Sequence, residues 1–262
     1  MEPSGLVRLA ARLGLPCVAL TDHDTMDGVE PAREAGRACG VEVLPGIEIS
    51  AFDFAHGKKV HLLCYFPKRP QALLELCAET RERRTEATLR MAEKVARRFP
   101  ITPEDVRLCA GPSASLYKQH IMLALMQRGY TLSVFGELFD ELFSARKNGW
   151  AREEFAYPDI RDALRLAVES GGAPVLAHPG VYGNFEIIGE LSKQGLAGIE
   201  AHHPRQSPED TRRALEAARE CGLICTGGTD FHGATASKAT PLGTRLTEEA
   251  ELARLFARFG EE

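Results

Sequence analysis

Six side chains of the kinds that bind metal ions stand in short segments that each read as the end of a buried β-strand. They are His23 in LTDHDTMDG, Glu48 in LPGIEIS, His61 in KKVHLLCYF, His178 in LAHPG, and Asp230 with His232 in GGTDFHG. Imidazoles and carboxylates that arrive from separate strand ends are what a catalytic metal centre on a parallel β/α scaffold requires. The pattern therefore indicates a metal-dependent hydrolase.

Each of these residues also has a structural interpretation when it is taken alone. His23 would cap the following helix, His61 would be a core histidine, and Asp230 would close a turn after two glycines. Asp24 fits an N-cap or a supporting role better than a ligand role. The metal-site interpretation rests on all six residues together and in this order.

The composition bounds the class of protein. With 262 residues, of which 44% are hydrophobic and 26% charged, the chain is long enough for one barrel-sized core and a small insertion. Its formal net charge of -5 gives no overall basic surface for duplex nucleic acid, although a small anionic substrate needs only a local basic pocket. The seven cysteines include no CxxC pair, which favours free thiols, and no apolar run reaches membrane-spanning length. We therefore expect a cytoplasmic protein.

Strand and helix signals alternate at both ends of the sequence and give way to helices alone in the middle. Short apolar runs at 17–20 and 60–65, with VEVLPGIEIS between them, read as strands separated by helical patterns. This order predicts a parallel sheet with ligands at the carboxyl ends of its strands. We expect a metal-binding barrel formed by 1–66 and 158–262, with 67–157 as an all-α insertion, or lid.

The chain resembles a known superfamily through six ordered motifs: LTDHDTMDG, PGIEIS, VHLLCY, LAHPG, GIEAHHP and GGTDFHG. The superfamily is PHP (polymerase and histidinol phosphatase). The similarity is greatest to its stand-alone phosphoesterases, which include nucleoside 3′,5′-bisphosphate phosphatases with 5′-to-3′ exonuclease activity. The resemblance implies an α/β fold, a distorted (β/α)7 barrel with an all-α insertion, that holds up to three divalent ions.

The resemblance also implies a role for each matching residue. It implies the following ligands: a bridging Glu48, His61 and His178 on one ion, His23 and His232 on a second, and Asp230 on a third. Glu48, His178 and Asp230 are then the expected catalytic residues. Carboxylates and neutral imidazoles suit Mn, Zn or Fe, and Mn is the ion that we expect first.

Three further residues are candidates for substrate binding. Lys118 begins a helix in SLYKQH, where an ammonium group and a helix N-terminus together make an anion site. Arg205 follows a strand end in GIEAHHPR. In the same segment, His203 is expected to support the site or to contact the substrate.

One family motif does not occur in the sequence. Members of the superfamily open with a strand that ends in His-x-His and is followed by a metal-binding Asp, and Met1 stands where that motif has just ended. Two explanations are open: the natural chain is longer, or the motif and the first barrel strand are lost. We expect the first, because the other motif sites would have little reason to persist together in an inactive protein.

These inferences lead to one expected activity with two alternatives. We expect metal-assisted hydrolysis of phosphomonoesters of nucleotides, such as nucleoside 3′,5′-bisphosphates, or 5′-to-3′ degradation of short oligonucleotides. One alternative is a small-molecule phosphatase of the histidinol-phosphate type, and the other is a PHP-like binding or scaffold module without turnover. The expected partner is a small phosphorylated substrate, with short single-stranded nucleic acid as a further candidate and no membrane.

Overall fold

The structure is a computed structural model that describes residues 1–236 and 238–260. Its strands are β1 Cys17–Leu20, β2 Glu42–Asp53, β3 Lys58–Tyr65, β4 Ala173–Leu176, β5 Gly198–His202 and β6 Ile224–Gly227. Its helices are α1 Pro3–Arg12, α2 Val29–Cys39, α3 Gln71–Ala96, α4 Pro103–Ala110, α5 Lys118–Gln127, α6 Glu137–Phe143, α7 Ile160–Glu169, α8 Pro179–Tyr182, α9 Ile188–Lys193, α10 Pro208–Cys221 and α11 Glu249–Phe259. Helices and strands therefore alternate at both ends of the chain.

The described residues form two compact units. Among the described residues, the barrel unit comprises Met1–Cys77, Tyr157–Gly233 and 240–260, and the helical unit comprises Ala78–Ala156 with 234–236 and 238–239. All strands named above belong to the barrel unit. The helical unit has an apolar core of its own, built mainly from α3 to α6. Among the described helices, none is both long and apolar enough to cross a bilayer.

The sheet of the barrel unit keeps its strands in chain order, from β1 to β6. β1 and β2 are parallel, as are β4, β5 and β6, but β3 runs antiparallel to both of its neighbours. The prediction of a parallel sheet is therefore wrong at β3. The reason is the length of the connection, because only residues 54–57 join β2 to β3, and a parallel crossover needs a dozen residues or more.

The hairpin of β2 and β3 has one face in the apolar core and one face that carries metal-type side chains. Residues 47, 49 and 51 of β2 and residues 60, 62 and 64 of β3 are buried in the main core, which also includes apolar residues of α7. Because side chains alternate along a strand, Glu48, Ser50 and His61 share the opposite face, and Ser50 pairs with His61 in register. Glu48 and His61 thus lie within strands, and their predicted placement at strand ends is wrong.

The sequence predicts two helix starts through capping boxes at Thr102 and Ser207, and the structure confirms both. The side chain of Thr102 accepts a hydrogen bond from the N–H of Asp105, whose carboxylate accepts one from the N–H of Thr102, and α10 begins with the same capping box. The pattern over 134–143 also predicts a helix, but α6 begins only at Glu137. Ahead of it the hydroxyl of Ser133 donates to the carbonyl of Phe135, a local bond that competes with helix formation.

A partly buried ion-pair network joins α7 to the hairpin and to α9. Arg161 donates hydrogen bonds to Asp53 at 3.0 Å and to both carboxylate oxygens of Glu190. Burial alone would raise the pKa of Asp53, but hydrogen bonds from Arg161 and His56 hold it below its usual value. A carboxylate that is 1% exposed needs such partners, so Arg161 stabilises the position of the hairpin.

We expect Arg161→Ala to lower the free energy of unfolding by about 2–3 kcal/mol, because the buried carboxylate of Asp53 loses its charged donor. Arg165→Ala on the same helix is the matched control: Arg165 pairs with Glu169 at the surface, and its loss should change the free energy of unfolding by less than about 0.5 kcal/mol. Chemical denaturation measures both. Equal losses would contradict a special role of the contact with Asp53.

Candidate metal centre

The segment after β1 is hydrogen-bonded to β2 on both sides of Glu48. The N–H of Glu48 donates to the carbonyl of Asp22 at 3.0 Å, and the N–H of Asp24 donates to the carbonyl of Glu48 at 2.8 Å. The N–H of Ser50 donates to the Oδ1 atom of Asp24 at 2.8 Å, and this carboxylate is fully buried. The bonds set His23 beside Glu48 as a parallel bridge.

Three imidazoles converge on the carboxylate of Glu48. The Nδ1 atom of His61 lies 2.7 Å from Oε1, and the Nε2 atom of His178 lies 3.2 Å from the same oxygen. The Nδ1 atom of His23 lies 3.7 Å from Oε2. One ligand atom each from His23, Glu48 and His61 can be chosen so that all lie within 4.8 Å of one another. The structure thus brings four of the six predicted ligands together.

The other two predicted ligands continue the cluster through His178. The ring of His203 lies 5.1 Å from the ring of His178, and its Nε2 atom lies 3.4 Å from Oδ2 of Asp230. The Oδ1 atom of Asp230 lies 3.3 Å from Nδ1 of His232, whose ring is 6.1 Å from that of His23. These contacts link the side chains into one closed series of neighbours, which includes the three imidazoles at Glu48, and all of them belong to the barrel unit.

Backbone strain is concentrated at this cluster. Asp24, His178 and Asp230 are three of five non-glycine residues with positive φ in the described ranges, at 57°, 28° and 51°. Such conformations cost on the order of 1–3 kcal/mol each and persist only where the surrounding contacts hold them. One such contact is visible at His178, whose N–H donates to Oε2 of the buried Glu200 at 3.0 Å. Contacts of this kind therefore hold the backbone in conformations that direct these side chains into the cluster.

The electrostatics favour an ionised carboxylate at Glu48 and neutral rings at His61 and His203. Burial alone would raise the pKa of Glu48, but the surrounding imidazoles hold it well below its usual value. Burial lowers the pKa of His61 to about 4, so that this ring is neutral near pH 7. Burial also lowers the pKa of His203. Burial would also lower the pKa of His178, but the contact of His178 with Glu48 has the larger effect, and the pKa of His178 is raised.

The donor set fits a divalent metal ion. The Nδ1 atoms of His23, His61 and His178 are buried and have no hydrogen-bond partner among the described residues. The Nδ1 atom of His61 is close to Glu48, yet the contact lacks the angles of a hydrogen bond. Buried polar atoms without partners are rare in folded proteins. A cation held between the carboxylate of Glu48 and the Nδ1 atoms of His23 and His61, which face that carboxylate, satisfies these two nitrogens.

The three predicted substrate-binding residues lie in different surroundings. The side chain of His203 is fully buried, and its Nδ1 atom accepts a hydrogen bond from the N–H of Arg205. Arg205 itself is exposed next to the cluster. Lys118 is the first residue of α5 in the helical unit, where its Nζ atom lies 5.9 Å from the centre of the Phe143 ring.

Two residues at the cluster, Tyr182 and Glu200, were not predicted from the sequence. The ring of Tyr182 lies 5.2 Å from that of His61 and 5.6 Å from that of His178, and burial raises the pKa of its hydroxyl to about 12. Its signal in the sequence is a position four residues after His178, about one helical turn. Burial raises the pKa of Glu200 to about 8, and its signal is a lone carboxylate inside the apolar strand GIEA.

We expect Asp24→Ala to weaken Mn²⁺ binding by about 10–100-fold, because it removes the acceptor that aligns the segment of His23 with Glu48. Asp24→Asn keeps an oxygen acceptor and tolerates positive φ, so it should retain most of the affinity. Asp27→Ala, at an exposed position of the same segment, is the control. Titration calorimetry compares the variants. Loss of affinity with both Asp24 substitutions would contradict the alignment role and indicate a need for the charge itself.

Comparison with known proteins assigns the family. Residues 1–173 match the PHP domain family. Over 226 residues the chain is 39% identical to the phosphoribosyl 1,2-cyclic phosphate 1,2-diphosphodiesterase of Eggerthella lenta, with 86% of each chain covered. It is 28% identical to the 5′-3′ exoribonuclease Rnm of Escherichia coli over 245 residues, which cover 88% of this chain and 80% of the relative. It is also 28% identical to the 3′,5′-nucleoside bisphosphate phosphatase of Chromobacterium violaceum over 240 residues, which cover 88% of this chain and 82% of the relative.

A solved structure extends the similarity to the fold. The structure of a protein assigned as a metal-dependent phosphoesterase from Bifidobacterium adolescentis superposes with a TM-score of 0.89 at 29% identity, and covers 100% of this chain and 92% of that one. The α/β fold class and the resemblance inferred from the six motifs are thereby confirmed. The chain belongs to the PHP domain family and is a metal-dependent phosphoric ester hydrolase.

Proposed function

We propose that this protein hydrolyses phosphate esters of nucleotides, as nucleoside 3′,5′-bisphosphates or at the 5′ end of short oligonucleotides. The observation that carries the proposal is the convergence of three imidazoles, with buried unpaired nitrogens, on the ionised Glu48. The substrate class is supported by the relatives, two of which are named for RNA or nucleoside bisphosphates. A histidinol-phosphate-type activity is the alternative against which the proposal is tested.

The proposed ligands are the six residues predicted from the sequence: His23, Glu48, His61, His178, Asp230 and His232. Nitrogen and oxygen donors without thiolates favour Mn²⁺, with Zn²⁺ or Fe²⁺ next. Three of the six, His23, Glu48 and His61, offer ligand atoms within 4.8 Å of one another. Divalent ions bound there would supply the positive charge that acidifies a water molecule and offsets charge on the phosphoryl oxygens.

The protein's own groups hold and orient the reactants in this proposal. The buried, ionised carboxylate of Glu48 is the proposed central ligand. The carboxylate of Asp230 attracts the Nε2 side of the His203 ring. The hydroxyl of Tyr182 keeps its proton because its pKa is raised, so it acts as a donor beside the cluster. The exposed guanidinium of Arg205 and the ammonium of Lys118 are the proposed partners of substrate phosphates.

A second candidate function is favoured by one relative. The relative from Eggerthella lenta is named for a phosphodiester, a 1,2-cyclic phosphate of a phosphoribosyl group. The same cluster would serve hydrolysis of a cyclic ribose phosphate, since the reacting atoms are again phosphoryl oxygens. Parallel assays with a nucleoside 3′,5′-bisphosphate, a ribose cyclic phosphate and histidinol phosphate separate these activities.

The cytoplasm is the proposed location. Support comes from the seven cysteines, all of which lie in the described ranges as free thiols. Free thiols persist in reducing compartments.

We expect Glu48→Ala to lose nearly all bound metal and to reduce the hydrolysis rate by at least about 100-fold, because the other ligands lose their common carboxylate. Glu42→Ala, at the exposed start of the same strand, is the matched control and should keep both. Elemental analysis gives metal per chain and phosphate release gives the rate. A Glu48→Ala protein with wild-type metal content would contradict the proposed site.

We expect Lys118→Ala to raise KM for a nucleoside 3′,5′-bisphosphate by about tenfold while hydrolysis of p-nitrophenyl phosphate changes little, because an ammonium that binds a second phosphate is not part of the reaction centre. Lys147→Ala, an exposed lysine of the helical unit that pairs with Asp140, is the control. Steady-state kinetics on both substrates decide the matter. Equal losses on the two substrates would rule out a role for Lys118 in substrate selection.

A further inference from the structure

The hairpin of β2 and β3 continues beyond the metal centre and presents an aromatic pair and a lysine. Phe54 lies in the turn after β2 with 62% of its surface exposed, and its ring centre is 5.0 Å from that of Phe52. The Nζ atom of Lys59 lies 5.4 Å from the centre of the Tyr157 ring. All four residues belong to the barrel unit.

Phe52 and Lys59 lie on the same face of the hairpin as the predicted ligands Glu48 and His61. The register pairs Ser50 with His61 and Phe52 with Lys59, and residues two apart on a strand share a face. Lys59 is thus one step of about 7 Å along the strand from His61. The residues between them, 51 and 60, are buried in the core on the opposite face. The surface is therefore continuous with the metal centre.

The backbone beneath this surface is fixed from both sides. The N–H of Phe52 donates to the carbonyl of Pro158 at 2.9 Å. The carbonyl of Lys59 accepts a hydrogen bond from the side chain of the buried Asn184, also at 2.9 Å. A ligand that contacts these residues meets a rigid surface, so binding costs little ordering entropy.

The local charge suits an anion. Lys58, on the opposite face, is held by Glu186 and by the carbonyl of Gly183. Lys59 has no carboxylate partner among the described residues, and its ammonium stands over an aromatic ring. In a chain with a net charge of -5, an ammonium without a carboxylate partner next to a phosphoester site is a specific local feature. Scattered exposed apolar residues are common, so Phe54 carries the argument only together with Phe52 and Lys59.

We propose that Phe52, Phe54, Lys59 and Tyr157 form a binding platform for the nucleotide next to the scissile phosphate of a single-stranded oligonucleotide. The aromatic pair offers a face on which a base stacks, and the lysine offers a charge for the adjoining phosphate. The inference rests on the proposed function and deepens it, because it makes an oligonucleotide a better ligand than a mononucleotide.

The test measures binding of two probes to the metal-loaded protein by fluorescence anisotropy, with phosphorothioate linkages in the probes to slow turnover. The probes are a short 5′-phosphorylated oligoadenylate and an abasic oligonucleotide of the same length, both labelled with fluorescein at the 3′ end. Phe54→Ala is expected to weaken binding of the oligoadenylate about tenfold and to leave the abasic probe unchanged. Phe54→Leu keeps apolar volume without an aromatic face and should behave like the alanine variant.

Lys59→Met is expected to weaken binding of both probes and to reduce the slope of log affinity against log salt by about 0.7, the value for one contact with single-stranded phosphate. Lys58→Met, one residue away on the other face, is the matched control and should leave binding of both probes unchanged. The variants at Phe54 and Lys59 should unfold at the wild-type temperature, because these positions are exposed.

Wild-type affinity of the Phe54 and Lys59 variants for the oligoadenylate would overturn the platform, as would an equal loss with Phe54→Ala on both probes. Failure of the proposed function has a different signature. If the metal-loaded wild-type protein releases no phosphate or nucleotide from any nucleotide substrate, the proposed function is overturned. The anisotropy experiment still decides whether the platform binds the oligonucleotide.

Discussion

The structure depends on one buried, ionised carboxylate, that of Glu48. An ion removed from water costs several kcal/mol unless partners surround it. β2 can carry this charge only because the segment after β1, the neighbouring β3 and the turn after β4 each aim an imidazole at it. The hydrogen bonds of Asp24 and Glu200 hold two of these backbones in conformations that they would otherwise avoid.

Because β3 runs antiparallel to β2, one hairpin carries both metal-type side chains and residues of the proposed nucleotide platform. In a parallel sheet, ligands gather at the carboxyl ends of strands. Here the short turn after β2 sends the chain back, so that His61 meets the carboxylate from within a strand that continues past it. Both strands continue past Ser50 and His61 towards the turn, and their side chains keep alternating between the two faces. The metal centre and the proposed nucleotide platform are successive parts of one strand face.

Much of this arrangement could be predicted from the sequence, for identifiable reasons. The strand patterns, the capping boxes at Thr102 and Ser207 and the metal-type residue in each motif are local signals, and the structure gathers those residues in one cluster. The direction of β3 could have been inferred from the four-residue connection but was masked by the β/α rhythm. Glu200 and Tyr182 stand out only weakly in the sequence, because their roles depend on contacts between segments far apart in the chain.

The most direct test of the central claim is anomalous X-ray diffraction at the manganese absorption edge, from crystals of the wild-type protein grown with Mn²⁺. An anomalous peak is expected within bonding distance of an oxygen of Glu48 and of a ring nitrogen of a surrounding histidine. A protein that binds Mn²⁺ in solution but shows no peak within this cluster, or shows its peak elsewhere, would contradict it.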